Sequence, residues 1–440
     1  MRSRPEEITS ERSNGKRFRL FLALFYATCL LTLVGLILLI PLPWLSFILG
    51  TIFLYIICLY MIQYLELKPE ATPHTTEWPS VTVLIPAYNR GESLLTCITK
   101  IKALQYPKKI QIIVINDAST DQTRELLSNI KGIQTIHLSK NGGKANALNM
   151  GLSKAKGEIV AVVDGDSYPN EDALMRSIPH FKKENVGAVT SIVRVNNPNG
   201  MLQKIQEVEY AIGFGLYNTV LSSMDSLFVT PGPFSIYQRK VLERTKGFDT
   251  RAITEDMEIT FHLHQLGYRI IMDPEVHVYS DVPTSVHALF RQRIRWFRGG
   301  LETLYKYRNN LFSKSKLFFR FFYPMRLFME ITALIFLFVL VRLWYETLDG
   351  SLASFMALYS TSFELIPWPT WTITGTSVYT LFMTLVTISF VIFGANLMKR
   401  DRPKFSLPAL ALFIFVYGIF ISVIYFISLT QTILGVEKRW

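Results

Sequence analysis

Ile159-Val160-Ala161-Val162-Val163-Asp164-Gly165-Asp166 decides the fold of this 440-residue chain. The run before the acids is apolar and rich in β-branched residues, with no polar alternation. It therefore reads as a strand buried on both faces. It stops on two carboxylates separated by a glycine. Two similar runs lie upstream. Ile110-Gln111-Ile112-Ile113-Val114-Ile115 ends on Asn116-Asp117, and Val81-Thr82-Val83-Leu84-Ile85 ends on Pro86-Ala87-Tyr88-Asn89. Helical patterns over Ser93–Leu104, Asp121–Ile130 and Lys144–Ala155 separate them, with a short strand over Thr135–Leu138. Strands alternating with helices predict an α/β domain with a mostly parallel sheet covered on both faces. Ligands of such sheets bind beyond the carboxyl ends of the strands, where all three motifs fall.

Asp164 and Asp166, one residue apart, suit a hard divalent cation with positions left for diphosphate oxygens. Alone, they would read as an acidic turn; the buried strand before them and the acids on the other strand ends reverse that. Asp117 suits a nucleobase contact, while Ser119 and Thr120 beside it suit a helix N-cap. Asn141-Gly142-Gly143-Lys144 offers backbone N–H groups and an ammonium to phosphate, with a solvated turn the ordinary alternative. Thr254-Glu255-Asp256 precedes a helical stretch, Met257–Leu266. An acid there can take a proton from an attacking hydroxyl, or can simply complement a helix dipole. Gln292-Arg293-Ile294-Arg295-Trp296 lies on a helix where Arg can brace a pyrophosphate and Trp can stack on a sugar. A basic interfacial helix is its blander reading, and Met201–Leu221 is also read as interfacial. No Gly-x-Gly-x-x-Gly follows the first strand and no Walker-type loop occurs, which argues against a nicotinamide oxidoreductase and a P-loop enzyme.

Hydropathy surrounds this segment with membrane spans. Leu20–Ile40, Leu42–Tyr64, Trp371–Leu397 and Leu407–Ile433 carry no charge, and a fifth span near Tyr323–Val341 begins with Arg326 and Glu330. The first reads as a span, not a cleaved leader, because a second follows at once. Lys and Arg placement puts the tail 1–19 and the large segment in the cytoplasm, the loop Trp344–Thr370 outside and Lys399–Lys404 inside. The net charge of +12 comes with basic residues beside spans, such as Lys306, Lys314 and Arg320. That arrangement fits anionic lipid headgroups and argues against nucleic acid. Cys29, Cys58 and Cys97 form no disulfide framework. The expected divisions are a basic tail (1–19), a transmembrane hairpin (20–64), a cytoplasmic catalytic domain (65–282), interfacial helices with the Gln-x-x-Arg-Trp element (283–322) and a C-terminal membrane region (323–440). A transporter with a cytoplasmic regulatory domain would need ionisable residues within its spans, which four of the five lack.

In this order the motifs resemble those of the inverting family 2 glycosyltransferases, in particular the membrane-integrated polysaccharide synthases. The chain is most similar to poly-N-acetylglucosamine synthases and is similar also to hyaluronan, chitin and cellulose synthases. The resemblance runs from about Pro79 to Gly300. It implies a GT-A fold and a donor pocket formed by Pro86, Tyr88, Asp117, Lys144 and Asp164. Mg²⁺ or Mn²⁺ would be held by Asp164 and Asp166, with Asp166 the direct ligand. Asp256 would be the catalytic base, and Glu255, Gln292, Arg295 and Trp296 would line the acceptor and diphosphate side. Gly232-Pro233-Phe234 falls where such synthases carry a loop near the acceptor. The implied hexosyltransferase uses a UDP-sugar and a polysaccharide or lipid acceptor, lies among membrane lipids of the inner or plasma membrane, and can take a small accessory membrane subunit. A non-processive enzyme making a glycolipid is the alternative.

Overall fold

The computed structural model describes residues 16–28, 31, 35, 42–67, 73–314, 316–331, 375–398 and 403–436. They fall into two units. One comprises Tyr60–Pro324 and Phe390–Phe413; the other comprises the described parts of Met1–Leu59, Met325–Ser389 and Ile414–Trp440.

The first unit is built on an eight-stranded mixed sheet. Its strands are β1 (Val81–Ala87), β2 (Gln111–Asn116), β3 (Gln134–His137), β4 (Ile159–Val162), β5 (Ser167–Pro169), β6 (Val186–Val195), β7 (Ser235–Gln238) and β8 (Arg269–Ser280). Their order is β3-β2-β1-β4-β7-β6-β8-β5. β3, β2, β1 and β4 form a continuous parallel block, as the alternation of strands and helices predicts. β1 and β4 are buried along their whole length, which is why their apolar runs lack alternation.

Beyond β4 the sheet departs from a simple parallel wind. β7 pairs antiparallel with both β4 and β6, and β5 with β8, while β6 and β8 are parallel. The sequence reading assigned no strand to this half. Its strands are interrupted by polar residues: β6 buries Thr190, Ser191 and Arg194. β8 contains Asp273-Pro274-Glu275, and its register with β6 breaks there, because proline supplies no ladder N–H.

Helices close the parallel block. α1 (Gly91–Lys102) buries Leu94, Cys97, Ile98 and Ile101, the i, i+3, i+4, i+7 stripe of an amphipathic helix. These residues join Val83, Ile85 and Val163 in one core. Leu94→Ala in such a core costs about 2–5 kcal/mol. Burial pushes the Cys97 thiol well above its ordinary range, so it stays a packed thiol. Cys58 is exposed, and Cys29 lies outside the described residues. α2 (Thr123–Ser128) and α3 (Lys144–Leu152) are shorter than the sequence pattern predicts. The stretch expected at an interface begins as α4 (Met201–Tyr210), continues as a π-helix over Ala211–Tyr217 and ends as a helix over Asn218–Ser223. α4 packs against Leu407–Leu412.

Leu407–Leu434, with a hydropathy of 2.6, is the one helix among the described residues that is long and apolar enough to cross a membrane. Gly50–Leu65 and Thr384–Leu397 are shorter apolar helices. Within the second unit the Tyr26 and Tyr425 hydroxyls hydrogen-bond at 2.6 Å. Arg326 and Glu330, the charges at the start of the fifth expected span, pair with each other at 2.5 Å. The rest of that span beyond residue 331, the loop Trp344–Thr370, positions 399–402 and the tail 1–15 lie outside the described residues.

Candidate active site

The carboxyl ends of β1 and β2 are adjacent because the ladder pairs Ala87 with Asn116. The Asp117 N–H continues it, donating to the Ala87 carbonyl at 2.9 Å. Pro86 is buried and Tyr88 is exposed at this rim. The two loops then lock each other. The Asn89 side chain accepts from the Thr120 N–H at 2.8 Å, the Asn89 N–H donates to Ser119 Oγ at 3.1 Å, and Asn116 Oδ1 accepts from the Ser119 N–H at 2.9 Å. Ser119 and Thr120 therefore tie loop to loop; neither caps α2, whose N-cap residue Gln122 makes no side-chain cap. Asn89 and Ala118 both sit at positive φ (51° and 57°), a strained backbone that these hydrogen bonds sustain.

Asp117 is 3% exposed. Its two oxygens accept the N–H groups of Gly142 and Gly143 at 2.9 and 2.8 Å. The glycine N–H groups expected to be free for phosphate are thus engaged by Asp117, which fixes the entry to α3. A carboxylate oxygen has two lone pairs, so each can still accept a second donor.

Lys144, the first residue of α3, extends from this loop. Its Nζ lies 2.6 Å from Asp164 Oδ1 and 2.8 Å from Glu255 Oε1. Burial opposes its charge, but the carboxylates of Asp164, Glu255 and Asp256 outweigh burial and hold the ammonium protonated. Gly232 backs this pair. A Cβ there would collide with Lys144 Nζ and an Asp164 oxygen, so a larger residue at 232 would have to push this ion pair aside. Asp166 has its own counter-charge, Arg90 Nη1 at 2.5 Å. Burial, reinforced by Asp164 and Asp281, holds the Asp166 carboxyl above the usual carboxylate range against the pull of Arg90 and Lys144.

Thr254-Glu255-Asp256 opens α5 (Glu255–Gln265), two residues earlier than the sequence pattern predicts. Asp256 Oδ1 accepts the Met257 N–H at 2.9 Å. Burial raises the Asp256 carboxyl to about 6. Glu255 adds to the rise, while Lys144 and Arg295 oppose it. Arg295 belongs to α6 (Val286–Lys306), which Ser285 caps through the Ala288 N–H at 3.2 Å. α5 and α6 are clamped at two points. Gly299 lies against Thr254, with no room for a Cβ. At the other point Glu258 is held by Lys306 and by the Tyr307 hydroxyl at 2.7 Å.

On α6, Gln292, Arg295 and Trp296 share a face at i, i+3 and i+4. Arg293, which the sequence reading did not single out, organises two of them. It is 1% exposed, donates to Gln292 Oε1 at 2.6 Å, pairs with Glu209 of α4 at 2.5 Å and stacks on Trp296 at 4.1 Å. The structure thus brings Lys144, Asp164, Glu255 and Asp256 together, with Arg295 close enough to draw on Asp256. Asp166 stands beside them with Arg90. Gln292 and Trp296 are held instead through Arg293. Arg90, Arg293 and Glu209 were missed. Arg90 had a signal in directly following Pro86-Ala87-Tyr88-Asn89; Glu209 had none beyond an acidic residue on an amphipathic helix.

Residues 79–299 match the family described as glycosyltransferase like family 2. The chain belongs to that family. It is 35% identical over 262 residues to the poly-β-1,6-N-acetyl-D-glucosamine synthase of Staphylococcus aureus strain COL, covering 58% of this chain and 62% of that protein. The namesake from Staphylococcus epidermidis is 35% identical over 228 residues, 51% of this chain and 55% of its own. The chain thus spans less than two thirds of the length of these relatives. A mannosyltransferase from Pyrobaculum calidifontis, solved with GDP-Man and Mn²⁺, superposes with a TM-score of 0.55 at 19% identity, covering 90% of this chain and 98% of that one. The fold is accordingly a GT-A-like mixed-sheet α/β fold, and the protein is a family 2 glycosyltransferase.

Proposed function

We propose that this glycosyltransferase is an inverting, metal-dependent enzyme that takes a UDP-sugar, UDP-N-acetylglucosamine first among them, and extends a β-linked polysaccharide that leaves across the membrane. One observation carries the reading: a single ammonium, Lys144, joins the strand-end carboxylate Asp164 to Glu255, next to a carboxyl poised at about 6. That juxtaposition sets a diphosphate-binding charge cluster beside a group able to accept a proton near neutral pH.

In this reading Pro86, Tyr88 and Asp117 form the nucleoside end of the donor pocket, and Lys144 and Arg90 turn from their aspartates to the diphosphate as it binds. Asp256 takes the proton of the acceptor hydroxyl. The oxygen lone pair then forms the bond to the anomeric carbon while the carbon–diphosphate bond breaks, and UDP leaves with that electron pair. One in-line displacement converts an α-linked donor into a β-linkage. Arg295 braces the leaving diphosphate, and Glu255, Gln292 and Trp296 line the acceptor side.

Asp164 and Asp166 fit Mg²⁺ or Mn²⁺. Their donors are all carboxylate oxygens, and Asp166 is crowded by Asp164 and Asp281. Two carboxylates of this kind suit a cation held by one or two carboxylates plus substrate phosphates; no group of three ligating side chains occurs among the described residues. Such a cation would neutralise the diphosphate as it leaves.

The catalytic unit is read as cytoplasmic, spanning 65–282 and followed by interfacial helices over 283–322. The basic tail, hairpin and C-terminal region cross and border the cell membrane in five spans, with lipids and a small accessory membrane subunit as partners. The test is purified protein given a panel of labelled UDP-sugars, with product sizing. A ladder or high-mass smear from UDP-N-acetylglucosamine supports the polymer reading. A single lipid-linked monosaccharide that never extends would replace it with glycolipid synthesis.

A further inference from the structure

A second recess, of about 830 Å³, opens on the catalytic unit between α1, β5 and the end of β6. None of the side chains assigned to catalysis lines it. Its wall towards the Asp166 loop is built. The Tyr168 hydroxyl donates to one oxygen of Asp281 at 2.6 Å and Asn196 Nδ2 to the other at 2.8 Å. The Asp281 N–H donates in turn to the Asp166 carbonyl at 3.1 Å.

Arg194 lines this recess and is 6% exposed. Its guanidinium lies 5.5 Å from the centre of the Tyr279 ring, and Nη1 has no hydrogen-bond partner among the described residues. An unsatisfied buried donor of this kind is costly and calls for an acceptor. The surrounding charge decides which. Lys100 and Arg194 are the cations of the lining, against the carboxyls of Glu171, Asp172 and Glu207, so the field repels an oxyanion. Burial also holds Glu207 above the usual carboxylate range, against the pull of Arg194 and Lys204. The amides of Asn170 and Asn197 both donate and accept, and Tyr168 and Tyr279 add flat apolar faces. The volume is that of a small-molecule pocket.

We propose that this recess is a second saccharide site, separate from the donor and acceptor positions, in which a neutral sugar accepts from Arg194 Nη1 and donates to Glu207. Titration calorimetry of the full chain in detergent, without nucleotide, tests it with N-acetylglucosamine and glucose as probes and inorganic phosphate as the anionic control. The expected result is sugar binding that Arg194→Met weakens about tenfold or more, about 1.4 kcal/mol, while Trp296→Ala leaves it in place. Lys100 and Asn197 line the recess and are exposed, and Asn197 sits at positive φ, which glycine tolerates, so the double variant Lys100→Ala/Asn197→Gly keeps the fold and must also weaken binding should Arg194→Met fail to fold. The proposal is overturned by the absence of sugar binding up to tens of millimolar (about the weakest range titration reads). Binding weakened only by Trp296→Ala, or tighter binding of phosphate than of either sugar, overturns it as well.

Discussion

The carboxyl-end rim of the sheet and the α5–α6 helix pair supply the same charge cluster, but they are held differently. At the rim, backbone places the groups. The β1–β2 register sets Ala87 beside Asn116, Asp117 anchors the glycine turn through two N–H groups, and that turn aims Lys144. In the helix pair, side chains do the placing: Gly299 admits Thr254, and Glu258 is gripped by Lys306 and Tyr307. The rim acids Asp164 and Asp166 each pair with a cation of the chain itself, Lys144 and Arg90, although burial still holds Asp166 above the usual carboxylate range. Among the described residues no cation hydrogen-bonds Asp256, on the helix side, and burial holds its carboxyl above the usual carboxylate range. A paired rim suits reversible charge exchange with a diphosphate, and an under-compensated carboxyl suits a proton acceptor.

The contrast breaks most sharply at Asp256. Asp256→Asn keeps the shape and removes the base, so transfer should fall by about 10²–10⁴-fold while UDP affinity, read by titration, stays within about twofold, well under 1.4 kcal/mol. Turnover near the wild-type value removes Asp256 from this role. The rim should respond the opposite way. Asp166→Ala should abolish metal-dependent UDP binding and, with it, transfer by about 10²-fold or more, since several kcal/mol of charge stabilisation is lost. Excess chelator should do the same to the unaltered chain, and full activity in chelator refutes the metal assignment.

The pH profile sharpens the comparison further. A base must be deprotonated to work, and burial and Glu255 raise Asp256 to about 6 against Lys144 and Arg295. Transfer should therefore level off above pH 6 and fall towards tenfold per unit below it. Arg295→Met removes one opposing charge, so the midpoint should move upward. A midpoint that stays fixed, or one near the ordinary aspartate value of about 3.9, contradicts the environment described.

The same division governs what could be read before the structure. The parallel block was legible because β1, β2 and β4 are mainly apolar, β-branched runs whose polar motifs all fall at their carboxyl ends. Gln292, Arg295 and Trp296 were legible through the resemblance that the Gln-x-x-Arg-Trp element carries. Strands β5–β8 were not, because buried Thr190, Ser191 and Arg194 and the Asp273-Pro274-Glu275 bulge erase the strand pattern. The Gly142 and Gly143 N–H groups looked free because their partner, Asp117, lies 25 and 26 residues away. Arg90 and Glu209 become informative only once tertiary contact supplies Asp166 and Arg293.

The smallest expected effect tests whether side-chain placement on the helix side reaches the acceptor. Arg293 is almost fully buried, and its Glu209 partner is 27% exposed in its side chain, so solvent screens part of their attraction. Glu209→Gln retains a hydrogen-bond acceptor and loses only the charge, which should cost about 1 kcal/mol of stability, a melting shift of about 2–4 °C for a unit of this size. Because Arg293 also holds Gln292 and stacks on Trp296, the variant should raise the acceptor KM by a few-fold, about 1 kcal/mol of lost positioning. The donor KM should not change, and kcat should stay close to normal. A merely structural pair would lower the melting temperature and leave both KM values alone. A change in donor KM would instead tie Arg293 to the rim and dissolve the division between the two regions.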